Sequence, residues 1–470
     1  MLGKITYAGS NNTSYQQAHA DLGHLAELKV SDKQVRRVCK RIGAERVAER
    51  DAAVVAYQAL PLTQRKAAPT GVVPPPLAVV GVDGGRLQIF ERPPTAAASP
   101  AATAQPPPQP EVVVAAPPEP AAVDAAAASE LLPPTAPEAT LPTAAAAVDA
   151  AAVDAAAAAP AAEEDDDERR GKFWREDKIG LLLTMHSAVS SQDPCPQIPK
   201  TFLNPTRISQ LVRELKKRAP PQEEAAKQAA EPQAAEEALR EDPARWKPPE
   251  VQAKQLVATR RPWDQFGPMV AAAAWALGFF AASRKAFLGD GAENNWTLHR
   301  QLFSSFVPIL DFIHGLSYVF ASAMAGRGFK EGWTVYERWI QWVWSGAPEK
   351  VIAALAVRQV ELGSPTAEET EGSPRTVVTR ALTYLQNNKD RMRYAEYRRQ
   401  GLPITSSYVE SAVKQINYRV KGTEKFWNEV GAEELLQLRA DYLSDNNVME
   451  VFWKRREASE TGQNRYRSVG

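Results

Sequence analysis

From Glu91 to about Ala162 the chain carries almost nothing that could build a protein core. Ala, Pro, Val and Thr dominate, in runs such as VDAAAA, and the stretch passes into EEDDDERR. Prolines interrupt any long helix in its first half, and it holds too few large apolar groups to bury against one another. A flexible tether is expected there, with transient helix only near Ala144 to Ala159. The fold must then be assembled from the residues before 91 and those after 170. A second charged, Pro- and Ala-rich stretch, residues 220–250, is expected to bridge exposed elements.

The 470 residues carry 56 basic and 56 acidic side chains. With no overall field to attract a polyanion, nucleic acid would have to be met by local patches. Two such patches exist: eight Lys or Arg against three Asp or Glu between Lys29 and Arg50, and 17 against 12 from residue 375 onward. Cys39 and Cys195 stand in unrelated contexts, so neither a disulfide scaffold nor a zinc cluster is expected, and a reducing cytoplasm is the natural compartment. The N-terminus has no apolar core of signal-peptide length, and the most apolar stretch, Met269 to Ala282, is too short for a membrane span. It reads as a buried helix, and no membrane partner is expected.

Residues 12–60 read as short helices. Tyr15, Ala18, Leu22 and Leu25 fall at helical spacing, and Ser31 or Asp32 can cap SDKQVRRVCKRIGAERV. Val35, Val38 and Ile42 form its apolar stripe, while Lys33, Arg36, Arg37, Lys40 and Arg41 cover much of the rest. That layout fits the second helix of a helix-turn-helix gripping phosphates; it fits as well a solvated basic helix in a small bundle.

Three carboxylates sit in compact motifs: Asp83 in VVGVDGGR, Asp290 in FLGDGAENNW and Glu410 in SSYVESAVKQ. Leu77 to Phe90 reads as strand, turn, strand, with Gly84 and Gly85 making the turn beside Asp83. Asp290 follows a short strand at Ala286 to Gly289. Glu410 lies near the first turn of a helix whose buried stripe is Val409, Val413 and Ile416. Further strands are expected at Ile179 to Met185 and Val307 to Asp311, and helices at Val270 to Phe280, Asn295 to Phe303, Val377 to Asn387 and Asp390 to Gln400. The aromatics of GWTVYERWIQWVW read as helix packing rather than base-stacking platforms. Phosphodiester cleavage by two divalent ions needs oxygen ligands that hold them about 4 Å apart. Asp83, Asp290 and Glu410 suit that need, and Asp311 with His314, in DFIH, could orient a carboxylate or bind metal. The bland readings are ordinary Asp-Gly turns, an exposed Glu410 paired with Lys414, and a mere packing or capping role for Asp311 and His314.

Taken in order, VDGGR, WREDKIG, DGAENNW, ILDFIH and YVESAVKQINYRVKGTEKFW, with GAEELLQLRADYLS downstream, resemble the DDE transposases of bacterial insertion sequences. The likeness is greatest to the ISKra4-like group among the wider Mutator-like relatives. The resemblance implies an α/β fold: an RNase H-like catalytic core with a helical insertion, plus an N-terminal helix-turn-helix-like segment. It implies Asp83, Asp290 and Glu410 as catalytic and metal-binding residues supported by Asp311 and His314, with Mg²⁺ or Mn²⁺ as cofactor. The partners implied are double-stranded DNA, at element terminal repeats and target, and further copies of the chain on that DNA, in the cytoplasm with the nucleoid. Candidate DNA contacts are Arg86, Lys33, Arg36, Arg37, Lys40, Arg41, Lys414, Arg419, Lys421 and Lys425. The glutamate block opens ITSSYVES where relatives more usually have glycines. Other readings of the same residues are a transposase-derived DNA-binding protein without chemistry, and a phosphatase or RNA nuclease with a similar metal core.

On this reading the chain divides into an N-terminal DNA-binding segment (1–65), core segments (72–90, 171–219, 251–311 and 401–445), a helical insertion (312–400) and a basic tail (446–470), with linkers at 91–170 and 220–250.

Overall fold

Apolar runs rich in Val, Ile and Leu build a six-stranded sheet: β1 (Leu77–Ile89), β2 (Trp174–His186), β3 (Glu250–Thr259), β4 (Arg284–Gly289), β5 (Val307–Leu310) and the short β6 (Phe426–Trp427). The computed structural model describes residues 1–90, 173–216, 247–422 and 425–459. The expected tether with its transient helix, most of residues 220–250 and the end of the basic tail lie outside the described residues. The strand order is β3-β2-β1-β4-β5, with β6 beside the far end of β1. β1, β2 and β3 are antiparallel neighbours, whereas β4 and β5 run parallel to β1.

Before the sheet come α1 (Leu2–Asn11), α2 (Tyr15–Ala26), α3 (Asp32–Ala59) and α4 (Leu62–Lys66), and between its strands α5 (Pro205–Lys216), α6 (Trp263–Ala276) and α7 (Glu293–Leu302). A helical block comes after β5: α8 (Phe312–Met324), α9 (Phe329–Trp344), α10 (Pro348–Leu362), α11 (Pro374–Asn388) and α12 (Tyr394–Arg399). The chain then returns to the sheet as α13 (Ser407–Val420) and α14 (Glu429–Leu443), and α15 (Val448–Ser459) packs with the N-terminal helices. The α9 aromatics do pack: Tyr336, Trp339 and Trp344 are buried, and Trp333 and Trp342 are half-buried. Among the described residues no helix is long and apolar enough to cross a membrane.

Residues 77–89 form one unbroken strand rather than strand, turn, strand. β2 pairs with it from Leu77 opposite Met185 to Gln88 opposite Trp174, so Gly84 and Gly85 are held in the ladder. β3, which lacks a clear apolar run in its first half, went unread in the sequence; its exposed edge is closed by Ser444 and Asp445, which bond to the backbone of Leu256 and Lys254. The charged stretch at Asp390 to Gln400 is a turn and then only six helical residues.

The N-terminal helices share their core with the C-terminal ones. Ile5, Ala18, Leu22, Val35, Cys39 and Ile42 pack with Leu438, Met449 and Phe452, while Leu25 is 85% exposed. Ser31 and Gln34 form a reciprocal capping box at the start of α3, which then runs for 28 residues. Its lower half is bound to α14 by charge: Arg46 Nε donates to Asp441 at 2.9 Å and Arg50 to Glu433 at 2.9 Å. The described residues all fall in one compact unit.

Where β1 ends and β2 begins, the Ile89 amide donates to the Phe173 carbonyl at 2.7 Å, and the Phe90 and Phe173 rings stack at 6.4 Å. The chain ends flanking residues 91–172 are thus already in hairpin position. Replacing those residues by Asn-Gly is expected to leave the melting temperature unchanged or higher, since a shorter loop saves closure entropy of up to about 3 kcal/mol. A lower melting temperature would show that the segment belongs to the fold.

Candidate metal centre

Register alone brings three aspartates level. Gly81 on β1 pairs with Leu288 on β4, so two residues further Asp83 lies beside Asp290. Gly289 pairs with Leu310 on β5, so one residue further Asp290 lies beside Asp311. The pairing is carried on by the Asp311 amide, which donates to the Gly289 carbonyl at 2.8 Å. Neighbouring strands are about 4.8 Å apart, which sets the three side by side where β4 and β5 stop.

Each is held by donors. Asp83 Oδ1 accepts from the Gly84 amide at 2.7 Å. Asp290 Oδ1 accepts from the Ala292 amide at 3.0 Å and Asn295 Nδ2 at 2.8 Å, and its carbonyl takes the Tyr384 hydroxyl at 2.6 Å. Asp311 is fully buried; it caps α8 through the Ile313 amide at 2.7 Å, meets His314 Nδ1 at 3.1 Å and accepts the Ser406 hydroxyl. Ser406 caps α13 in position only, because its hydroxyl is turned to Asp311 instead of the helix.

α13 supplies Glu410. It can lie close on β1 because Gly81 has no side chain: a β-carbon there would collide with Val409. Donor atoms of Asp311, His314 and Glu410 all lie within 4.8 Å of one another, a set that can hold a metal ion. The sequence reading made Asp83, Asp290 and Glu410 the ligands and gave Asp311 and His314 a supporting place; among the described residues the tightest set contains those two instead. Asp83 and Asp290 stand close enough for their charges to act on His314.

Burial alone would lower the basicity of His314, but the hydrogen bond and charge of Asp311, with Asp290 and Asp83 behind it, carry its pKa up to about 9. The metal-free ring is therefore protonated at neutral pH, and an ion bound to it must displace a proton. Calorimetric titration with Mn²⁺ is expected to release about one proton per ion at pH 7.5, with affinity rising about tenfold per pH unit until pH reaches about 9. His314→Gln should flatten that dependence; equal slopes in both proteins would remove His314 from the ligand set.

The candidate DNA contacts separate into groups. Lys33, Arg36, Arg37, Lys40 and Arg41 are all exposed along α3 and make no hydrogen bond or ion pair among the described residues. Lys414 is exposed on α13 and Lys421 just past its end, the latter 5.7 Å from the Trp174 ring, and Arg86 is half-buried on β1. Lys425 is half-buried, its ammonium on the carbonyls of Tyr418 and Arg419, at the end of α13.

Arg419 corrects the sequence reading. It is 1% exposed, donates to the carbonyl of Gly9 at 3.0 Å and lies over the rings of Tyr15 and Trp427 at 4.6 and 5.1 Å. It falls on the buried side of α13, with Ala412 and Ile416, and clamps the N-terminal helices to it. Sequence reasoning also missed Ser406, Asn295 and Tyr384. The ITSSYVES opening was the signal for the first and the ENN after Asp290 for the second; Tyr384 comes from a distant helix and had none.

In comparisons with family models, curated proteins and solved structures, nothing matches the chain.

Proposed function

We propose that the chain is a DDE-type DNA transposase with an RNase H-like core, cutting DNA at the ends of an insertion sequence and joining the freed 3′-hydroxyl to target DNA. The observation that carries this reading is the level row of Asp83, Asp290 and Asp311, faced by Glu410 and His314. The strand order, with three antiparallel strands and then two parallel ones, also supports it. Mg²⁺ or Mn²⁺ bound by these groups would supply Lewis-acid stabilisation of phosphoryl oxygens and an activated water or hydroxyl. The chain's own part is to fix the carboxylates before substrate arrives: Asn295 and the Ala292 amide orient Asp290, and Ser406 and the Ile313 amide orient Asp311. The exposed cations of α3, with Lys414 and Lys421, meet the phosphates of duplex DNA. Several copies assembled on the element ends complete the reading.

The test is to incubate the full chain with duplex DNA, RNA and a phosphomonoester under Mg²⁺, Mn²⁺ and Ca²⁺. Cleavage of DNA under the first two ions is expected. Hydrolysis confined to RNA or the monoester would replace the transposase reading. DNA binding with no cutting under any ion would favour a protein that has kept the partner and lost the chemistry.

A further inference from the structure

Asp177, on β2, lies directly opposite Gly85 and points to the side of the sheet that α13 covers. It is fully buried, and neither of its carboxylate oxygens has a hydrogen-bond partner. Asn417, on α13, has a buried side-chain oxygen that is equally unpartnered. The three oxygens converge on the bare backbone of Gly85: a β-carbon there would stand 2.8 and 3.0 Å from those of Asp177 and 3.1 Å from that of Asn417. With the Asn417 amide oxygen turned inward, acceptors face one another with no donor and repel, and a buried carboxylate without a partner is strongly unfavourable. These atoms have almost no solvent-accessible surface, and a proton carried by one of them is the smallest change that relieves the repulsion.

We propose that Asp177 carries a proton and donates it to the side-chain oxygen of Asn417, a buried latch between β2 and α13 that opens when the proton passes to solvent. Glu410 lies two turns upstream on the same helix, so the latch helps hold the metal centre's helix on the sheet. It does so whatever reaction the centre performs.

The charged groups acting on Asp177 are few. Glu176 and Lys178 flank it on its own strand with side chains on the opposite face, and Lys421 stands at the end of α13. Asp83 shares its face two residues along β1 from Gly85. Burial raises the carboxyl from its ordinary 3.8 to about 6; its own backbone amide, too poorly aligned to count as a hydrogen-bond partner, opposes that rise, as do Lys421 and Lys178, while Glu176 adds to it. A raised folded-state pKa means the latch contributes fully below about pH 4 and is lost as pH rises through about 6.

The test is hydrogen exchange of α13 amides in the full, metal-free chain, corrected for intrinsic rates, between pH 4 and 7. Opening of α13 is expected to increase about 100-fold more in the wild type than in Asp177→Asn, as the gap of about two pKa units requires. Asp177→Asn, which keeps a donor at every pH, should be the better protected protein at pH 7. Asn417→Ala, lacking the acceptor, should open readily throughout. Parallel profiles for wild type and Asp177→Asn would overturn the latch. So would α13 exchanging freely in Asp177→Asn at all pH values, or protection of the wild type at pH 7 by Na⁺ or K⁺ that Asp177→Asn abolishes, since either outcome requires a charged carboxylate.

Discussion

Replacing Asp83 by asparagine is expected to abolish metal-dependent DNA cleavage while leaving the metal-free fold as stable or slightly more so. Asn keeps the shape and an oxygen for the Gly84 amide, now at 2.7 Å from Asp83 Oδ1. Its effect is to remove one negative charge from a site where Asp83, Asp290, Asp311 and Glu410 surround a single imidazolium. Relief of that repulsion is worth up to about 1 kcal/mol at a partly exposed site. The same charge is what would hold a divalent ion in place against the phosphate, and its loss should slow single-turnover cleavage by about 10³-fold or more, about 4 kcal/mol in the barrier. Cleavage in Mn²⁺ and thermal melting in EDTA therefore move in opposite senses. Cleavage within tenfold of wild type would take Asp83 out of the chemistry; a large fall in melting temperature would make its role structural.

Much of this site was legible in the sequence because strands advertise their ends. An apolar run stopping at Asp-Gly marks Asp83 and Asp290, and once β1, β4 and β5 are neighbours the register does the rest. A sequence does not state which carboxylates share an ion. That depends on where α13 rests, and α13 rests where Gly81 allows Val409 to sit. Asp311 and His314 joined the tight set because Ser406 and the α8 amides hold Asp311 from two sides.

Charge and glycine content carry no direction, and at two places in the chain direction decides. Arg419 lies three residues beyond Ile416, on the buried side of α13, so its angular position outweighed its charge. Gly84 and Gly85 suggested a turn, yet β2 pairs along the whole of β1 and leaves them no freedom to make one. In α3 the basic pattern does not decide between its two readings. Its cations are exposed as a phosphate-binding helix needs, but the helix is far longer than its apolar stripe and continues into the charged contact with α14.

That contact should be the most costly to disturb. Arg46 and Asp441 are both more than nine-tenths hidden; Arg46 gives Asp441 two hydrogen bonds, at 2.9 and 3.3 Å, and also reaches Glu49. Arg46→Met keeps an apolar stem against Phe452, whose ring lies 5.4 Å from the guanidinium, but strands the buried carboxylate with little beyond Gln437 Nε2 at 2.9 Å. Removing one partner of such a pair costs about 3–5 kcal/mol, a large share of a domain's stability. Burial already pushes the Asp441 carboxyl up, with Arg46 opposing that rise. Without Arg46 it should rise further, so the deficit contracts in acid, where Asp441 is neutral, and widens as pH increases. Denaturant melts at pH 5 and 7.5 would register the difference. The double variant Arg46→Met with Asp441→Leu should recover most of the loss, because it leaves no buried charge to compensate. If the double variant is instead as unstable as the sum of the singles, the pair is not what fastens α3 to α14, and the apolar contacts of Ile42 and Leu438 must do so alone.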